Sequence, residues 1–144
     1  MVVDNFKYIK WLSAEDMHLM TKQWLSELQF VKGEQHFFEE LIRKYIFQLI
    51  QPERFKESGQ IVKKLADLQK DNEDLIRLIQ SHENGLEVLV DGKDELVKEE
   101  VYKAEHHRMI IVVNDFLEKY RELKNVLFKT ISSIVKSEEK IINI

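Results

Sequence analysis

Cysteine is absent from this chain of 144 residues, proline occurs once and glycine four times. The missing thiols exclude disulfides, thiolate metal sites and cysteine nucleophiles together. Scarce proline and glycine leave few places for the backbone to turn. A sheet protein needs many turns, so a small number of long elements is expected instead. No apolar run reaches the length of a membrane span, and Asp4, Lys7 and Lys10 interrupt the N-terminal stretch too often for a signal peptide. Lys and Arg do not cluster beyond pairs such as Lys63-Lys64, which argues against a nucleic-acid surface. Glycine-rich phosphate loops are also missing. Membrane insertion is therefore not expected, and the cytoplasm is the expected compartment.

What remains is a chain that is 44% hydrophobic and 33% charged, with 22 basic and 26 acidic side chains giving a net charge of -4. A disordered chain of such charge would carry far fewer large apolar residues, so a globular fold is expected. The length suits one domain over residues 1–144. Residues 1–12 read as an aromatic arm bearing Phe6, Tyr8 and Trp11, and residues 137–144 as a tail.

Ser13 is a good N-cap, Asp16 suits the positive helix end three residues on, and Leu12 and Met17 hold the positions of a hydrophobic staple. Apolar residues then recur at steps of three and four: Trp24, Leu28, Val31, Phe38, Ile42, Tyr45 and Leu49, with Gln35 in phase between them. The phase survives Gly33, so the pattern predicts one helix from about residue 14 to residue 50. Gln51-Pro52 ends it. A second stripe runs from Phe55 through Ile61, Leu65, Leu68, Asn72, Leu75, Ile79 and His82 to a stop signal at Asn84-Gly85. Residues 86–90 read as an apolar connector. Asp91 is placed to cap a third helix whose first turn holds Asp94 and Glu95, and whose apolar positions include Val101, Ala104, Ile110, Val113, Leu117, Tyr120, Leu127 and Ile134. The expectation is an all-α antiparallel bundle of three long helices with coiled-coil-like packing. Four helices, with a break near Gly33, is the alternative.

The apolar surface is wider than three helices need. Phe30, Phe37 and Phe47 lie off the first stripe, and Met109, Ile110, Ile111, Val112 and Val113 cover the full girth of the third helix. A helix that is apolar all round is surrounded by protein, and exposed patches of that kind mark interaction sites. The expected role is self-association as a homodimer through the first and third helices, at Phe30, Phe37, Phe47, Met109, Ile110, Ile111 and Val112, or docking of a helical partner protein. No catalytic constellation is legible, so the protein reads as non-enzymatic and without a cofactor. The alternative is a bundle binding iron or zinc through His36, Glu40, His106 and His107. His36 and Glu40 are four residues apart and share a helix face, and bundles do build metal sites from inward-facing His and carboxylate. The di-metal pattern is incomplete, since Glu15/His18 is the one Glu-x-x-His pair, at a helix start where acid is expected anyway. Gln35, Asn72 and Asn114, lone amides among apolar layers, read as register-setting residues.

Overall fold

The computed structural model describes residues 12–91 and 96–142. Among these residues there are four helices and no strand. They are α1 (Ala14–Lys44), the single turn α2 (Ile46–Leu49), α3 (Phe55–Asp91) and α4 (Leu96–Ile142).

α1 begins as its sequence directs. The Asp16 amide donates to Ser13 Oγ at 3.1 Å, and the Ser13 amide donates to Asp16 Oδ2 at 3.2 Å, a reciprocal capping box. Leu12 and Met17, on either side of the cap, are both buried. The helix runs unbroken through Gly33. The expected break near that glycine does not occur, because an interior glycine lowers propensity without removing a hydrogen bond or causing a clash. The rod to residue 50 is interrupted at Tyr45 instead, where φ/ψ of -107°/22° separate α1 from α2. The chain then turns at Pro52, and the Arg54 amide donates to the Gln51 carbonyl at 2.9 Å.

Asn84-Gly85 does not stop α3. A glycine stop needs the left-handed conformation, and no described glycine has a positive φ. The helix continues through residues 86–90, so the expected connector is helical, and Asp91 closes α3 rather than capping α4. Asp94 and Glu95 lie outside the described residues, as does the arm before Leu12. α4 is 47 residues long and carries the expected tail on as helix to Ile142.

Side-chain pairs fix the topology. His18 meets Glu83, and Asn72 meets Leu28, so α1 and α3 run antiparallel. His82 meets Tyr102 and His106, so α3 and α4 do too. Trp24 with His106, Phe38 with Phe128 and Gln48 with Glu138 rise together along the chain, making α1 and α4 parallel. The three long helices form an up-down-up bundle with one apolar cluster along its axis.

That cluster is built from steps of three and four. α1 gives Trp24, Leu28, Val31 and Phe38, α3 gives Ile61, Leu65, Leu68, Leu75 and Ile79, and α4 gives Met109, Val113, Phe116, Tyr120, Leu123, Leu127, Ile131 and Ile134. Three expectations are corrected here. Met109 and Ile110 belong to this core rather than to an outer interface. Val101 and Ala104 are exposed, and the stripe takes Tyr102 and His106 instead. Asn114 is exposed and sets no register.

Candidate functional site

The described structure gathers buried polar side chains at one level of the bundle. Thr21 from α1, His82 from α3, and Tyr102 and His106 from α4 are each buried. All four occupy stripe positions, one heptad or less from apolar core neighbours, so the same periodicity that buries Leu28 and Ile79 buries them. Their rings stack. Tyr102 lies against His82 with centroids 4.1 Å apart, and Trp24 lies against His106 at 4.9 Å.

A hydrogen-bonded chain threads the layer. His82 Nδ1 is 3.2 Å from Glu105 Oε1, and His82 Nε2 is 3.0 Å from His106 Nδ1. An ionised carboxylate can only accept, so His82 Nδ1 carries the proton. Neutral His82 then accepts at Nε2 from His106 Nδ1–H, and His106 Nε2 is left as a bare lone pair. That atom is buried without a hydrogen-bond partner. Burial holds His106 down to about 4, with the neighbouring His82 adding to the effect. Burial also lowers His82, opposed by the hydrogen bond and charge of Glu105. Both imidazoles are neutral at neutral pH. Burial raises the Tyr102 phenol, keeping it protonated. The bare lone pair at His106 Nε2 is enclosed by the core rather than open to a substrate.

A second polar cluster joins α1 to α4. The Tyr120 hydroxyl donates to Glu34 Oε1 at 2.6 Å, and Lys124 Nζ stands 2.9 Å from the same oxygen. Burial pushes the Glu34 carboxyl up, but hydrogen bonds from Lys124 and Tyr120 and the Lys124 charge outweigh it and hold the group ionised. Elsewhere, Asn72 Nδ2 donates to the Leu28 carbonyl at 3.0 Å, a bond between helices that only one register allows.

The residues expected to hold a metal do not come together. His36 is on the exposed face of α1, 3.6 Å from Glu39 Oε2, and the Glu40 carboxylate is bound by Arg43 at 2.8 Å. His106 stacks on Trp24, about 18 Å back along α1 from His36. His107 points about 100° away from His106 around α4 and is half-buried. Among the described residues, no three His, Asp or Glu side chains gather closely enough to hold a metal ion.

The expected interface residues divide. Phe30, Phe37 and Phe47 are exposed at 68%, 57% and 75%, and Ile111 and Val112 also face outward. Leu19 joins them on the outer surface of α1, and Ile50 and Phe55 at the α2–α3 turn. Phe30 also rims a groove of about 520 Å³ between α1 and α4, with Leu117, Tyr120 and Arg121 opposite. A second groove, about 650 Å³, separates α3 from α4 and is lined by Ile61, Lys64, Leu68, Lys119, Leu123 and Val126 among others. No described helix is long and apolar enough to cross a membrane.

The histidine layer was only half visible in the sequence. His82 lies in the second stripe and His106 among the candidate ligands, but nothing local pairs residues 24 positions apart. The available signal was phase: Tyr102, His106, Met109 and Val113 continue the α4 stripe without a slip.

The sequence matches no protein-family model, and no curated protein or solved structure resembles the chain.

Proposed function

We propose that this protein is a non-enzymatic helical-bundle module of the cytoplasm that works by association, as a homodimer formed through coiled-coil-like packing of helices. The observation that carries this reading is the outward placement of Phe30, Phe37 and Phe47, none of which the fold uses in its own core. Three exposed phenylalanines on one helix and its short extension are unusual for a surface that meets only water. Aromatic residues of this kind are the anchors of protein interfaces.

A binding role is supported over a catalytic one by the chemistry of the polar groups. The His82–His106 pair is enclosed between aromatic rings, and the Glu34–Tyr120–Lys124 cluster ties helices together. Both are explained by packing. Light scattering across a concentration series tests the reading: a mass that rises toward twice that of the chain at micromolar concentration agrees with it, and a monomer throughout sinks it.

A further inference from the structure

The groove between α3 and α4 faces away from α1, which contributes none of its lining. It continues beyond the 650 Å³ stretch into a second one of about 260 Å³, and Leu68, Asp71 and Lys119 line both. From Glu57 to Leu78 it follows α3 for about 30 Å, the length of a helix of about 20 residues. Its floor is apolar, with Ile61, Leu68 and Leu75 from α3 and Phe116 and Leu123 from α4. Leu78, Val112 and Val126 along its edges are 48%, 45% and 42% exposed. A furrow of this form between two helices suits the apolar stripe of another helix.

Charge selects the kind of helix. Glu57, Asp67, Asp71 and Asp74 line the α3 side, and Asp115 and Glu122 the α4 side, against two cations, Lys64 and Lys119. These side chains carry the whole of the chain's net charge of -4, so its other twenty acidic and twenty basic side chains balance. Cations nearby neutralise only part of the groove. Lys119 pairs with Asp115 at 3.1 Å, and Arg77, outside the lining, pairs with Asp74. Arg108 stands one turn beyond Val112 on α4, and Lys63 and Lys70 point about 80–100° away around α3. Glu57, Asp67, Asp71 and Glu122 form no ion pair among the described residues. Because carboxylates border the floor on both sides, an apolar stripe with Lys or Arg on each flank meets opposite charge along its length. A second copy docked groove to groove would set these carboxylates against their own images, and like charges in opposition disfavour that occupant.

We infer that the α3–α4 groove receives an amphipathic helix of a partner protein, its apolar stripe flanked on both sides by lysine or arginine, to complete a four-helix bundle. The surface is separate from Phe30, Phe37 and Phe47, so the inference stands whether or not the chain associates with itself.

The probe is a fluorescein-labelled synthetic peptide of about 20 residues, with leucine at alternating steps of three and four and lysine on both flanks. A twin peptide carries glutamate in place of each lysine. Anisotropy titration with the full chain should show micromolar binding of the lysine peptide that weakens as salt is raised, and binding of the twin at least about tenfold weaker. Asp67→Lys/Asp71→Lys should weaken the lysine peptide about tenfold. Glu40→Lys/Glu73→Lys makes the same change in net charge at exposed positions outside the groove and should weaken it less than about threefold. Leu78→Glu/Val126→Glu, at the exposed apolar edges, should abolish peptide binding while sedimenting as the parent does. Equal binding of the two peptides, or equal losses from the two lysine pairs, overturns the proposal. So does a loss of self-association in Leu78→Glu/Val126→Glu, because the groove would then hold a second copy.

Discussion

His82 Nε2 stands 3.0 Å from His106 Nδ1, and both rings are almost wholly withdrawn from solvent. The pair holds one shared proton between two nitrogens, so it tolerates neutral imidazoles and resists a second proton. In the unfolded chain His106 takes up a proton near 6.5, whereas in the fold it does so only near 4. Between these values the unfolded chain binds more protons, so stability rises with pH. It is at its full value above 6.5, falls as the pH drops toward 4, and by then has lost about 3 kcal/mol. Urea unfolding followed by circular dichroism from pH 7 to pH 4 measures this. His106→Leu should flatten the slope by about one proton's worth, and at pH 7 should cost about 1–2 kcal/mol for the unpaired His82 nitrogen.

Asn72 is fully buried and donates to the Leu28 carbonyl across the α1–α3 contact. Asn72→Ala removes that bond and leaves a small void. The expected loss is about 2 kcal/mol, read as a lower urea midpoint with an unchanged m-value. A changed m-value would mean that the amide also governs how compactly the helices pair.

Adjacent phenylalanines should behave in opposite ways. Phe38 is fully enclosed, edge-on to Phe128, whereas Phe37 is 57% exposed. Phe38→Ala is expected to cost about 3–5 kcal/mol. Phe37→Ala, in a sample dilute enough to be monomeric, should stay within about 0.5 kcal/mol of the parent. Thermal unfolding of the two variants side by side checks this contrast.

Tyr120→Phe deletes the hydroxyl that donates to Glu34, leaving Lys124 as the carboxylate's remaining partner. A bond to a charged acceptor contributes about 1.5–3 kcal/mol, and Tyr120→Phe is expected to lose the lower part of that range because the ion pair persists. Lys124→Met should cost less, since the pair is partly solvated and the phenol still donates. Chemical denaturation of the two variants distinguishes these losses.

Helix periodicity carried most of the architecture. The steps of three and four through Trp24, Leu28, Val31, Gln35 and Phe38 depend on local geometry alone, so the α1 core face could be read directly. The capping box at Ser13 and Asp16 was legible for the same reason, with both partners three residues apart. Boundaries set by competition were harder. Asn84-Gly85 has the composition of a stop, yet α3 continues to Asp91, and nothing in the dipeptide records that. Tyr45 interrupts α1 where no glycine or proline stands. At the polar layer, His82 and His106 were visible one by one, but their meeting depends on the α3–α4 register. The run from Met109 to Val113 suggested a helix covered on all sides. Instead, Met109, Ile110 and Val113 turn inward while Ile111 and Val112 face outward, because consecutive residues step about 100° around the axis.

Sedimentation equilibrium of the parent chain and of Phe30→Glu/Phe37→Glu tests the claim of self-association most directly. Neither side chain contributes to the buried core, so the double variant should fold with an unaltered helical spectrum. The parent should approach about twice the 17.3 kDa chain mass at tens of micromolar, and the variant should remain at the chain mass over the same range. A monomeric parent, or a variant that associates as strongly as the parent, would contradict the account.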